Sequence, residues 1–216
     1  KIVGQGLKLL SEKQPGTTIS VLGPIGQPFR LHPDRPNTLL IGGGVGIPPM
    51  VYIADWLRQN KGGWNPFAIL GSEIPFPFDL QKSKLAVPGI PDDVSSTVPL
   101  LEEWGIPTRL TSLQGYEGCF DGYVTVLADA WLHELPLEEL AKTEIFACGP
   151  TPMLRAVADL AARYDLPCQV SLEEYMACAV GGCAGCAVKI MTPEGEAMKR
   201  VCVDGPVFDA ATVVWQ

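Results

Sequence analysis

Four of the seven cysteines in this chain crowd into one short stretch, as Cys178, Cys183, Cys186 and Cys202. The run C-x4-C-x2-C, followed by a fourth Cys after fifteen more residues, constrains the C-terminal part more than any other feature. Its first three positions have the spacing of plant-type thiolate ligation of a [2Fe–2S] cluster. Ala179, Gly181, Gly182, Ala184 and Gly185 lie between these ligands. Residues that small let backbone N–H groups approach sulfur and offset the negative charge that gathers there. Ala187 to Met191 reads as a strand, Pro193-Glu194-Gly195 as a turn and Met198 to Val203 as a returning strand. Such a hairpin carries Cys202 back to the loop as fourth ligand. Zinc is the alternative, although structural zinc sites pair their thiolates as C-x2-C twice and one such pair is present. Inert buried thiols are the third reading, and they are the expectation for Cys119, Cys148 and Cys168. An odd cysteine count without a signal-peptide pattern argues against a disulfide framework and for a reducing, cytoplasmic setting.

Composition narrows the rest. The chain has 216 residues, 47% of them hydrophobic and 19% charged, enough for a buried core and unlike a disordered chain. A formal charge of −8 argues against a surface that tracks nucleic-acid phosphates. Gly and Pro, 23 and 20 residues, exceed the usual combined share of about 12% and argue against a coiled coil or plain helical bundle. Residues 36 to 54 carry no charge over a length that suits a membrane span. They include Gly42, Gly43, Gly44, Gly46, Pro48 and Pro49, however, and so read as strand, loop and helix. No membrane partner is expected. The chain begins at Lys1 rather than Met, which suggests a shortened N-terminus.

Residues 1 to 33 read as strands and turns of a small β unit, with Ile19 to Leu22 as an apolar run before Gly23-Pro24. Thr38 to Ile41 is a short buried strand entering Gly42-Gly43-Gly44-Val45-Gly46. Pro48-Pro49 opens a helix to about Gln59, with Val51, Ala54 and Leu57 on its buried face. Phe67 to Leu70, Thr108 to Leu110 and Ile145 to Ala147 are further strands. Residues 72 to 105, scattered with prolines, read as a long surface excursion. After Cys148-Gly149-Pro150 comes a second helix, with Thr151 as its cap and Met153, Val157, Leu160 and Tyr164 as its stripe. Strands alternating with helices predict βαβ units and a parallel sheet. From Pro167 the pattern changes, and Ser171 with Glu174 predicts a capping box for a short helix.

Two glycine-bearing loops, Gly42 to Gly46 and Cys148 to Pro150, each follow a strand and open a helix. That is where a phosphate meets free N–H groups at the positive helix end, and two such loops can line one crevice. The G-x-G-x-x-G fingerprint is not met, since Ile47 or Pro49 falls where its third glycine belongs, so a ligand-free tight turn is the competing reading. Glu73, after the second strand, is either an acceptor for a ribose 2′-OH or a solvated loop carboxylate. His32 and His133 lack a partner motif and read as surface or helix-end residues.

Leu40 to Pro49, taken with Cys148-Gly149-Pro150-Thr151-Pro152-Met153-Leu154, is similar to the nicotinamide-binding half of the ferredoxin reductase superfamily. Adding Ser171-Leu172-Glu173-Glu174, the four cysteines and Arg200-Val201-Cys202-Val203-Asp204-Gly205-Pro206-Val207-Phe208, the chain resembles the electron-transfer subunits of type B dihydroorotate dehydrogenase. Tyr175 stands where an Arg is common, and Ala179 where a Gly is common. The resemblance implies an α/β and β fold: a partial N-terminal flavin-binding β-barrel over 1–35, a parallel α/β NAD-binding domain over 36–166, and a small C-terminal [2Fe–2S] module with a β-hairpin over 167–216. It implies that Gly6 and Leu7, within Gly4-Gln5-Gly6-Leu7, touch the FAD pyrophosphate, Leu7 through its backbone N–H. It also implies that Gly43, Gly44, Val45, Gly46, Cys148, Gly149 and Pro150 frame NAD. The implied partner is an FMN-containing dihydroorotate dehydrogenase catalytic subunit, two copies of each forming a heterotetramer. The implied route runs from that FMN through the cluster and FAD to NAD, in pyrimidine (UMP) biosynthesis. The alternatives are a reductase subunit serving hydrogenase, sulfur or glutamate-synthase chemistry, and a non-enzymatic zinc-binding adaptor.

Overall fold

The structure, a computed structural model, describes residues 4–60 and 62–215. Its centre is β1 (Asn37–Gly43), where Leu39, Leu40 and Ile41 are fully buried in sequence. A strand apolar at consecutive positions must be covered on both faces, which is the condition of a parallel sheet between helical layers. Around it stand β2 (Asn65–Gly71), β5 (Thr108–Thr111), β6 (Thr143–Cys148), β7 (Cys168–Ser171) and β10 (Val207–Asp209). The order is β10-β7-β6-β1-β2-β5, with β1, β2, β5, β6 and β7 parallel and β10 antiparallel at the edge. Short pieces β3 (Gln81–Lys82) and β4 (Ser96–Thr97) pair with each other, and β8 (Ala187–Thr192) pairs with β9 (Gly195–Arg200).

Successive side chains of β1 point to opposite faces, and so reach two cores. Leu40 joins Met50, Ala54 and Leu57 of α2 (Ile47–Gln59) with Leu101 of α3 (Pro99–Glu103). Leu39 and Ile41 join Leu127 of α4 (Val124–Glu134) and Leu154, Val157 and Leu160 of α6 (Thr151–Arg163). Each such buried aliphatic side chain contributes about 1.5–3 kcal/mol. A one-turn α5 (Leu137–Leu140) leads into β6. The expected parallel α/β architecture is therefore present, as are its four expected strands and two expected helices.

Several expectations are corrected. Over 4–36 there is no strand; instead α1 (Gly4–Ser11) is an exposed helix with no buried residue, and the rest is irregular. Residues 1–3 lie outside the described residues. A strand needs a hydrogen-bonded neighbour to persist, and among the described residues none lies beside Ile19 to Leu22, so the expected barrel portion has nothing to pair with. Among the described residues, one bridge, Gln27 to Pro206, is its only ladder contact. The chain from Gln27 to Arg35 docks on the sheet nonetheless: Gln169 accepts from the Arg30 N–H at 2.9 Å, and His32 Nδ1 meets Glu144 Oε2 at 2.7 Å.

The capping box at Ser171 does not form, because Ser171 is held in β7 opposite Cys148 and Val207. Nor does Thr151 cap α6. Pro150 takes that place with extended backbone, and no side chain caps the helix. The excursion over 72–105 is only partly superficial, since Val94, Val98 and Leu101 enter the core. The hairpin over the C-terminal part is present, with Thr192 opposite Gly195 across Pro193-Glu194. Its returning strand is Gly195–Arg200 rather than Met198 to Val203, however, and Cys202 lies in the turn after it.

Candidate functional site

The chain runs β1-β2-β5 to one side of the sheet and then β6-β7 to the other, so the strand order reverses between β1 and β6. Such a switch point opens a crevice beyond the carboxyl ends of the strands. Gly42 of β1 lies opposite Cys148 of β6, which brings the two glycine-bearing loops side by side. Gly44 to Gly46 form a single 3-10 turn into α2. Gly46 is packed so closely on the Cys148 carbonyl that a Cβ there would overlap it. Gly43 and Gly149 both face Met153, whose sulfur would lie 2.5 Å from a Cβ on the first and 3.0 Å from one on the second. Met153, expected as a core residue of α6, is thus a floor under both loops.

Val45 is exposed, and Pro150 leads directly into α6. Both loops open on helix amino ends at this crevice. At α2, however, the Ile47 N–H donates to the Gly44 carbonyl and Pro48 and Pro49 have no N–H, so the donors there are those of the loop itself. Glu73 is exposed just beyond β2. Cys148 is half-buried, and burial pushes its thiol up, opposed in part by a hydrogen bond with Ser171. It is a neutral thiol at neutral pH. Cys168 is buried and its thiol is likewise pushed up, and burial raises the Cys119 thiol beside Ser96. Gly6 and Leu7 lie in the first two turns of α1, both exposed and remote in sequence from the crevice.

The four cysteines come together at the base of the β8–β9 hairpin. Ala187 pairs with Arg200, and the Val201 N–H donates to the Cys186 carbonyl at 3.0 Å, so the ladder ends with Cys186 beside Cys202. These two are almost fully buried, at 2% and 1% exposure, whereas Cys178 is partly exposed and Cys183 exposed. Left-handed backbone at Ala179, Gly181 and Ala184 curls the connecting loop around its sulfurs. The Cys183 N–H donates to Cys178 Sγ and the Gly185 N–H to Cys183 Sγ, each at 3.4 Å. The Cys183 N–H first, then that of Val180, draws the Cys178 thiol down to about 6. Burial, and contact with the Cys186 sulfur, push the Cys202 thiol up.

This donor set fits an iron–sulfur cluster: soft sulfur ligands, N–H groups aimed at sulfur, and one side closed from solvent. Among the described residues no group of three or more His, Cys, Asp or Glu is arranged for a single metal ion. A [2Fe–2S] centre would require only two of the four thiolates at each iron.

Arg200 and Asp204 flank Cys202 at two residues on either side, and sequence reasoning gave them no role. The Arg200 guanidinium donates through Nη1 to the Gly181 carbonyl at 3.0 Å and through Nε to Asp204 Oδ2 at 3.2 Å. The signal available in sequence was that flanking pair of opposite charges. Ser171, read as a cap, instead touches Cys148.

Residues 173–214 match the iron–sulfur cluster binding domain of dihydroorotate dehydrogenase B. The dihydroorotate dehydrogenase B (NAD(+)) electron transfer subunit of Caldanaerobacter subterraneus subsp. tengcongensis is 32% identical, over 100% of this chain and 74% of its own length. The chain belongs to the family of dihydroorotate dehydrogenase B electron transfer subunits. The member from Bacillus caldolyticus is 36% identical over 98% of this chain and 71% of its own length. The chain thus spans nearly three quarters of these relatives. Among solved structures, an NADH-dependent reduced ferredoxin-NADP oxidoreductase, described in connection with flavin-based electron bifurcation, superposes with a TM-score of 0.73. It shares 30% identity, over 100% of this chain and 67% of that one. Among the described residues no helix is long and apolar enough to cross a membrane.

Proposed function

We propose that this chain is the electron-transfer subunit of an NAD-dependent dihydroorotate dehydrogenase of pyrimidine biosynthesis, paired in the cytoplasm with an FMN-containing catalytic subunit, two copies of each. The observation that carries this reading is the gathering of Cys178, Cys183, Cys186 and Cys202 by loop and hairpin, with backbone N–H groups turned to sulfur. When bound, the [2Fe–2S] cluster carries single electrons between the partner's FMN and FAD, and FAD exchanges a hydride with NAD.

The protein's own part is placement. Cys178, Cys183, Cys186 and Cys202 hold the cluster, with Cys186 and Cys202 shielding its inner side from water. Gly43 to Gly46 and Cys148 to Pro150 hold NAD, with Gly44, bare and facing open space, letting the nucleotide approach the backbone. Gly6 belongs to the first turn of α1, whose N–H groups lack intrahelical partners, which suits a pyrophosphate contact with FAD, and Leu7 follows it directly. The neutral Cys148 thiol takes no proton in a hydride transfer, which needs alignment alone. By function the chain divides into a flavin-contacting segment over 1–35, a nucleotide domain over 36–166 and a cluster module over 167–216.

A second reading, a reductase subunit for another iron–sulfur oxidoreductase, draws on the superposition with the NADH-dependent oxidoreductase. Visible and EPR spectra of the anaerobically purified protein, before and after NADH, test the proposal. A rhombic [2Fe–2S] signal with flavin bleaching is expected, with a dihydroorotate-oxidising, FMN-containing subunit copurifying. A colourless protein with stoichiometric zinc overturns it, and a different copurifying enzyme moves the assignment to the second reading.

A further inference from the structure

The turn carrying Cys202 is built on Arg200. Its carbonyl accepts from the N–H groups of Val203, Asp204 and Gly205 at 3.2, 2.8 and 3.2 Å. Its own N–H donates to Asp204 Oδ2 at 2.7 Å, the same oxygen that Nε reaches. With its backbone so committed, the side chain crosses from this turn to the other ligand loop and donates to the Gly181 carbonyl, between Cys178 and Cys183. Gly181 is in left-handed backbone, and a Cβ there would lie 3.1 Å from Val203 and 3.2 Å from Arg200 Nη1. The two ligand-bearing segments are therefore joined through one guanidinium, which also lies within electrostatic reach of Cys186 and Cys202.

As a surface ion pair, with side chains 43% and 30% exposed, Arg200–Asp204 is worth little in stability. Its position beside the thiolates matters more. We propose that Arg200 is a positioning residue for the cluster, which it serves by tying the Cys202 turn to the Cys178–Cys183 loop and by holding a fixed positive charge that favours the reduced state. This rests on the cluster reading above. Reduction adds one negative charge, so a cation beside the ligands raises the reduction potential and a carboxylate lowers it. Arg200 and Asp204 act with opposite signs, and that opposition separates an electrostatic role from a merely structural one.

The test is EPR-monitored potentiometry on the cluster-loaded full chain. Arg200→Gln is expected to disfavour reduction by about tenfold, about 59 mV for one electron, and Asp204→Asn to favour it. Arg200→Lys, which keeps charge without the planar fork, is expected to lie between wild type and Arg200→Gln and to change the EPR line shape. Two potentials at the wild-type value, or moving in the same direction, overturn the proposal. Should Arg200→Gln not retain its cluster, Asp204→Asn decides alone: a rise supports the proposal and no rise overturns it. A wild-type chain without a [2Fe–2S] signal overturns the cluster reading itself, whereas a normal signal with unmoved variants overturns only the role of Arg200.

Discussion

Gly46 has ordinary helical backbone, φ −80° and ψ −8°, so nothing about its dihedrals calls for glycine. What excludes a side chain is the Cys148 carbonyl directly against it. Gly46→Ala must push the two crevice loops apart, at about 1–3 kcal/mol for overpacking. Urea unfolding should register that loss, and NADH titration by fluorescence should show affinity falling about tenfold or more. Gly44 is the contrasting position. It sits at φ +54° in open space, so Gly44→Ala costs only about 1–2 kcal/mol of left-handed backbone and leaves the loop spacing intact. The cysteines divide in the same way. Cys186→Ser or Cys202→Ser should abolish the visible iron–sulfur absorbance, while Cys119→Ser, half-buried beside Ser96, should leave it unchanged. Equal bleaching in all three would sink the ligand assignment.

At the scale of elements, α6 presents the clearest stripe, and Leu160 on it is fully buried. Leu160→Ala should destabilise the chain by about 2–5 kcal/mol through the cavity it leaves, read as a lower denaturation midpoint. Strand β6 carries a buried carboxylate, Glu144, met by His32 from the docked N-terminal segment. Burial lifts its carboxyl above the ordinary 4.5, and the His32 contacts pull it only part of the way back. Because the folded chain holds this proton more tightly than the unfolded chain, its stabilising share is complete below about 4.5. That share disappears as pH rises through the raised value. The stability difference between wild type and Glu144→Gln should therefore change across that window and be flat on either side; a difference independent of pH would refute it. His32→Ala should move the window to higher pH.

What the sequence made legible at this scale follows from local cause. β1, β2 and β6 carry apolar runs bounded by Gly, Pro or Thr, β5 is a short Thr-flanked stretch after Pro107, and α2 and α6 open on prolines; each signal is contained in a few adjacent residues. β7 went unread because Cys168-Gln169-Val170-Ser171 is short and half polar, and its place depends on β6 and β10 from elsewhere in the chain. The Ser171 capping pattern failed for the same reason, since the ladder claims the backbone first. In the site, ligand spacing identified the cysteines. The link from Arg200 to Gly181 spans nineteen residues and needs the hairpin to be folded before it exists.

For the whole molecule, the sheet has cores on both faces that draw mainly on β1, β2, β5 and β6, while the cluster module adds Cys186, Ile190, Val201 and Cys202 to one of them. Removing iron by anaerobic chelation should thus raise amide exchange across 177–206 by about tenfold or more and leave β1 and β6 protected. Uniform loss of protection would mean that the module and the sheet unfold as one unit.

The antiparallel partner of β7 is β10, and Ser171 lies directly opposite Val207. Everything between them leaves the sheet and returns to it at a single point. Topologically the cluster module is a cassette: a tight reverse turn between Ser171 and Val207 would close the sheet as a plain hairpin. Such a deletion would still leave Val170 and Phe208 facing each other across the seam, and would strip Leu172, Cys186, Ile190, Val201 and Cys202 from the core on one face of the sheet.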